Sequence, residues 1–211
     1  MTEKLSYEMS RNFLLNLTNQ ILQSKDELNR MDAECGDGDF GASMFVAFSN
    51  VKKSVESNQE EDIGRLLTDA GEAIVATAGG AAGPIFGTLF TETGKVAKGK
   101  NSLGLSDLAG MLEAALVKIQ ERGRVRVGDK TVIDALNPAV LSLKKSSSDN
   151  TPLVPALRDA ANAARLGYEG TRNLVARQGK ARYLAEQTLG HLDPGAYVAM
   201  LFFENLYAIA K

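Results

Sequence analysis

The chain has 211 residues, 44% hydrophobic and 24% charged, with 24 Lys and Arg against 26 Asp and Glu. That length supports one well-buried domain over 1–211, and a net charge of −2 argues against a polybasic surface for nucleic acid or an anionic membrane. A single cysteine, Cys35, excludes an internal disulfide framework, and a single histidine, His191, excludes a multi-histidine metal site.

The apolar runs, such as 200–203, are too short to span a bilayer. The start, MTEKLSYEMS, is polar and unlike a signal peptide, so the expected location is cytoplasmic. The apolar period is close to 3.6 along the chain and no alternating Val/Ile/Thr run argues for strands. The expected fold is therefore all-α. Eight helices are predicted, at 4–30, 41–56, 60–77, 83–98, 105–121, 130–147, 152–176 and 194–210. Thr151-Pro152 and Asp193-Pro194 each read as an N-cap followed by Pro at the first helical position. Short connections make successive helices antiparallel neighbours, so alternate connections fall at the same end of a bundle. One set is 31–40, 78–83, 122–129 and 177–193, and it holds all the unusual chemistry. The other set, near 57–59, 99–104 and 148–151, consists of Ser/Asn/Lys-rich turns.

The first of these connections carries Asp32, Asp37 and Asp39 with Gly36, Gly38 and Gly41 among them. Three carboxylates so close repel one another unless a cation joins them. Hard oxygen donors on a tight loop suit Mg²⁺, Mn²⁺ or Ca²⁺. An EF-hand does not fit, because the twelfth position is Phe48 counted from Asp37 and Ser43 counted from Asp32. The stretch also matches GxGxxG, but a helix precedes it where a dinucleotide-binding loop needs a strand. An acidic helix-capping loop is the plain alternative. The second connection, Gly79-Gly80-Ala81-Ala82-Gly83-Pro84, opens a helix with small residues, which suits either an anion at the helix N-terminus or a close helix corner. In the third, Gly123 and Gly128-Asp129-Lys130-Thr131 fall one residue away from a P-loop; ordinary capping by Asp129 is the plainer reading. The fourth, 179–196, brings Lys180, Arg182, Tyr183, His191, Asp193 and Gly195. Tyr183 is expected in the core and His191 in a structural role. Cys35, beside the acids, reads as small and buried.

Taken in order, D-x-x-x-GDxD-x-G at 32–41, GGAxGPxFGT at 79–88, GDKT at 128–131 and GxAxYLxExxxGHxDPGA at 179–196 make the chain resemble the ADP-binding L subunits of bacterial dihydroxyacetone kinases. The resemblance runs from about Leu14 to the C-terminus. It implies a barrel of eight antiparallel up-and-down helices with the nucleotide at one end. It implies that Asp32, Asp37 and Asp39 bind Mg²⁺ joined to the phosphates of ADP or ATP. Phe40, Gly41, Ser43, Ala81, Ala82 and Thr131 would then contact phosphates, and Gly123, Val132, Lys180, Asp193 and Gly195 would surround the nucleoside. No residue of the chain would be catalytic in its own right. The ketose would be held by a separate K-type subunit, and an M-type phosphocarrier would recharge ADP in some members. Phe40, Ala82 and Lys180 stand where His, Ser and Arg are common in this family, and Tyr197-Val198 replaces a Thr-Ser pair. These departures keep two alternatives in view: another short ketose such as erythrulose as acceptor, and a nucleotide-sensing module that catalyses nothing.

Overall fold

The computed structural model describes residues 3–80 and 82–211. Among them are nine α-helices: α1 Tyr7–Gln23, α2 Lys25–Ala33, α3 Phe40–Ser57, α4 Ile63–Thr77, α5 Ala82–Val96, α6 Leu105–Gly123, α7 Ile133–Ser148, α8 Leu153–Gly170 and α9 Pro194–Ala210. The fold is all-α but for one small pairing. Strand β1, Leu5–Ser6, lies antiparallel to β2, Ser102–Leu103, with Leu5 opposite Leu103.

Helix α3 packs on α4, and each helix from there packs on the next as far as α9. Helix α9 then packs on α1, and α1 on α3, which closes a ring of eight. Helix α2 stands beside this ring, against α3. A contiguous apolar core draws on all nine helices. Its aromatic centre joins Phe90 of α5 to Phe48 of α3 and to Phe202 of α9, and Phe202 in turn meets Phe13 of α1 edge-on at 4.9 Å.

The first predicted helix, 4–30, is divided at Ser24, whose ψ of 7° turns the chain. The break lets α2 lie against the start of α3, where a Cβ on Gly41 would run into the Lys25 carbonyl. Helix α7 begins at Ile133, not near residue 130, because Lys130 is left-handed with φ 59°. Asp134, not Asp129, serves the start of α7, accepting from the amides of Gly128 at 2.5 Å and Thr131 at 2.8 Å. Helix α8 stops at Gly170, short of the expected 176, and Thr171–Asn173 continues it as a single 3₁₀ turn. The predicted cap at Asp193 is present: its carboxylate accepts from the Ala196 amide at 2.7 Å, with Pro194 following. At α8 the start falls one residue later than expected, with Pro152 as the N-cap. No described helix is long and apolar enough to cross a membrane.

Candidate functional site

Asp32 sits on the last turn of α2, Asp37 on the loop that follows, and Asp39 at the N-cap of α3. The loop folds back on itself because one oxygen of Asp32, Oδ2, accepts from the amides of Asp39 at 3.0 Å and Phe40 at 3.3 Å. Gly36 is required by contact: a Cβ there would lie 2.5 Å from the other Asp32 oxygen. The Asn29 side chain anchors the next turn by accepting from the Ala42 amide at 2.9 Å. As a result, one oxygen from each of the three acids lies within 4.8 Å of the others. Burial pushes the Asp32 carboxyl above its ordinary range, against the lowering effect of its two amide bonds. Asp37 and Asp39 are exposed.

A cation of the chain itself meets these acids. The Lys180 ammonium pairs with Asp37 and lies 3.8 Å from Asp39. That bond holds the Asp37 carboxyl below its usual range and the Lys180 ammonium above its own. Three hard carboxylates facing one ammonium form a donor set that fits a divalent cation. A metal at such a place would neutralise like charges that otherwise repel.

The other loops meet this one. Ser43 of α3 borders the second connection, its hydroxyl 3.9 Å from where a Cβ on Gly79 would stand. Phe40 and Phe86 tilt together at 6.5 Å between ring centres. Ala82 is buried at the start of α5. The expectation for Ala81 lies outside the described residues. The Asp129 carbonyl accepts from the Arg177 amide at 3.0 Å, joining the third connection to the fourth. His191 Nδ1 lies 3.1 Å from Glu34, joining the fourth to the first. Gly195 packs on Val132: a Cβ at 195 would stand 3.5 Å from the Val132 amide nitrogen and 3.1 Å from Asp193 Oδ2. The Thr131 hydroxyl accepts from the Ile133 amide at 3.2 Å at the start of α7. Gly123 ends α6, and the next residue, Arg124, is left-handed. Helices α3, α5, α7 and α9 therefore all begin where the four loops meet, and helix N-termini favour anions.

Asp193 is one of two unusual groups here. The residue keeps some exposed surface, yet desolvation of its carboxyl pushes it up to about 7, opposed by the bond from Ala196. The other is Lys130, a buried lysine that the sequence motif contains but its reading passes over. The signal was present in the Gly128-Asp129-Lys130-Thr131 string; what hid it is that its bonding partners are backbone carbonyls of two distant stretches, 171–174 and 188–191. Cys35 is buried as expected, and burial raises its thiol. Tyr183 is not in the core. It is 77% exposed, because Ala185 turns to φ 46° and breaks the 3₁₀ segment Lys180–Thr188, and Arg182 stacks on its ring.

Comparison with known proteins adds a family to this geometry. The DAK2 domain matches residues 34–208. The chain is 36% identical over 184 residues to the ADP-binding subunit DhaL of the PEP-dependent dihydroxyacetone kinase of Escherichia coli, covering 87% of this chain and 88% of that protein. It is 32% identical over 196 residues to an L-erythrulose 1-kinase of Mycolicibacterium smegmatis, covering 90% of this chain and 34% of that one. The solved dihydroxyacetone kinase of C. freundii superposes with a TM-score of 0.74 at 27% identity, over 95% of this chain and 34% of that chain. A second structure of the C. freundii enzyme, in complex with AMP-PNP and Mg²⁺, gives 0.73 at 26% identity, over the same shares. The chain thus spans about a third of the erythrulose kinase and of the solved enzyme.

Proposed function

The chain belongs to the DAK2 domain family, and on that premise we propose that it is the nucleotide-binding subunit of a dihydroxyacetone-type kinase. In this reading residues 1–211 form one L-type domain, a barrel of eight antiparallel helices made from the closed ring, working in the cytoplasm. Asp32, Asp37 and Asp39 hold Mg²⁺, which supplies charge neutralisation between the acids and the phosphates of ADP or ATP. Phe40, Gly41, Ser43, Ala81, Ala82 and Thr131 border the phosphates. Gly123, Val132, Lys180, Asp193 and Gly195 border the nucleoside. Phosphoryl transfer then depends on positioning and charge, with no protein nucleophile on this chain. The observation that carries the reading is the acidic trio opposed by Lys180 at the place where α3, α5, α7 and α9 begin.

The only histidine is bonded to Glu34 on the same face. It falls within the 179–196 segment whose resemblance assigns it to the nucleotide side, which supports a separate K-type subunit as the bearer of the ketose. The phosphoryl donor is then ATP or an M-type phosphocarrier that recharges bound ADP. The erythrulose kinases among the relatives make erythrulose the alternative acceptor.

Calorimetry tests the binding half of the proposal. The wild-type chain is expected to bind Mg–ADP, and Asp37→Ala to weaken that binding by at least tenfold; a wild-type chain that ignores Mg–ADP overturns the reading. Mixing tests the rest. This chain alone should phosphorylate neither ketose, whereas the chain with a K-type subunit should phosphorylate one of them from ATP or from a phosphorylated carrier. Turnover by the chain alone contradicts the division of labour. A verified complex that is inert with both donors and both ketoses favours the sensing module.

A further inference from the structure

Lys130 is 4% exposed. Its Nζ faces four backbone carbonyls: His191 at 2.5 Å, Thr188 at 2.8 Å, Thr171 at 2.9 Å and Leu174 at 3.3 Å. An ammonium has three N–H donors, so the three short contacts use them and the fourth shares one. No carboxylate bonds to it directly, so peptide dipoles, with the charges of Asp193 and Asp134 acting from further off, replace the solvation that water would give an exposed charge. Desolvation lowers the Lys130 ammonium from its ordinary range. The backbone is also strained to aim this side chain. Lys130 has φ 59°, a left-handed conformation unfavourable for a residue with a Cβ, and Gly128 at φ 92° prepares the turn.

The four carbonyls come from two stretches. Thr171 and Leu174 follow α8, and Thr188 and His191 precede α9. Between them runs the loop 175–187, which carries Lys180 to Asp37 and Asp39. Four further bonds cross the same neck: the Gly190 amide to the Arg172 carbonyl at 2.8 Å, the Arg172 guanidinium to the Gly190 carbonyl at 3.3 Å, the Ala176 amide to the Thr188 hydroxyl at 2.9 Å, and the Asp193 amide to the Thr171 hydroxyl at 3.0 Å. Lys130 reaches in from the α6–α7 connection and grips both sides of the neck at once.

We propose that Lys130 is a positioning residue whose ammonium ties the neck of the 175–187 loop, and so holds Lys180 at the acidic trio and Asp193 at the start of α9. Its consequence for nucleotide binding rests on the function proposed above; its consequence for the loop does not. An apolar side chain would leave the Leu174 and His191 carbonyls without this donor, while those of Thr171 and Thr188 would keep only the amides of Leu174 at 3.1 Å and His191 at 3.4 Å.

Lys130→Met keeps the stem and removes the donors. The folded variant is expected to bind Mg–ADP at least tenfold more weakly than wild type. Trypsin should cut it after Lys180 and Arg182 at least tenfold faster, with helix content by circular dichroism unchanged. A folded K130M with either the wild-type Kd or the wild-type cleavage rate overturns the proposal. The wild-type protein gives a second measurement that needs no variant: ¹⁵N NMR of the lysine ammonium groups. One of them should exchange slowly and couple to the carbonyls of Thr188 and His191. Should K130M fail to fold, this spectrum decides, and a Lys130 ammonium exchanging as fast as exposed lysines overturns the clamp. If wild type itself does not bind Mg–ADP, the function proposed above fails, while the cleavage rate and the spectrum still judge Lys130.

Discussion

Lys180 and the acids it meets are 143 positions apart in sequence at the Asp37 contact. The pair is exposed, and exposed ion pairs contribute little to stability. Their meaning is competition: a divalent cation entering the trio must displace an ammonium. Lys180→Ala is therefore expected to tighten binding of Mg²⁺ alone by about two- to fivefold, the range of an exposed pair. The same variant should weaken Mg–ADP, whose border it removes. Calorimetric titration with Mg²⁺ and with Mg–ADP checks both signs, and unchanged Mg²⁺ affinity would show that Lys180 does not guard the trio. The trio was legible in the sequence because glycines and acids alternate over eight residues and leave a tight loop few alternatives. Lys180 as their counter-ion was not, since no local pattern reports a partner so far along the chain. The Glu34 partner of His191 was hidden for the same reason. Asp193 carries a pH dependence. Its folded carboxyl lies near 7, above the unfolded value of about 3.9, so the folded state binds the extra proton between those limits. Stability from this group is then full below the unfolded value and falls as pH rises towards 7. Asp193→Asn keeps a capping side chain but cannot ionise. Urea midpoints at pH 5 and pH 8 should show wild type losing stability relative to the variant; a constant difference would contradict the raised carboxyl.

Helix α4 and helix α5 approach until their backbones touch, through glycines spaced seven apart on each: Gly64 and Gly71, Gly87 and Gly94. A Cβ on Gly71 would lie 2.7 Å from the Thr91 amide nitrogen and 2.9 Å from the Gly87 carbonyl. Backbone cannot give way as a side chain can. Gly71→Ala should gain up to about 1 kcal/mol of helix propensity and lose about 3 kcal/mol to overpacking, a net loss of about 2 kcal/mol. Gly110 in α6 has open space around its Cβ position, so Gly110→Ala should stabilise by up to about 1 kcal/mol. Opposite signs in urea unfolding are the expected result; equal effects would mean that the α4–α5 contact is not this tight. Apolar periodicity located the helices but could not read such glycines, which look like weak helix formers when the partner helix is unknown. The break at Ser24 escaped for a related reason: no Gly or Pro marks it, and the turn is set by how α2 packs on α3. The end of α7 that faces the site was misjudged because a lysine, not a glycine, takes the left-handed position.

The alternation of connections along the chain pointed the four unusual loops to one end, and contacts do join those loops although the count of eight missed α2, because α2 stands beside the ring and leaves the alternation undisturbed. Closure of the ring by α9 on α1 was beyond it, since the two helices lie at opposite ends of the sequence. The gathered end joins two electrostatic features, each of which a ligand could satisfy. Four helix N-termini offer positive dipole ends, while three acids repel one another and, among the described residues, Lys180 is the cation paired with Asp37 and near Asp39. In the proposed reading Mg–ADP would answer both, the metal serving the acids and the phosphates the dipoles. A ligand that binds only the folded state adds RT ln(1 + [L]/Kd), about 2.7 kcal/mol at a hundredfold excess over Kd. For a chain of this size each kcal/mol moves the melting temperature by about 2–4 °C, so saturating Mg–ADP should raise it by about 5–10 °C. ADP with a chelator should raise it little, since its phosphates would then face the acids directly. Mg²⁺ alone should act weakly, because it must first displace Lys180. Differential scanning calorimetry of the four states checks the order, with apo lowest and Mg–ADP highest. An equal rise with ADP in the presence of chelator would mean that the dipoles suffice and the acids hold no metal; no rise in any state would remove the nucleotide from this end of the molecule.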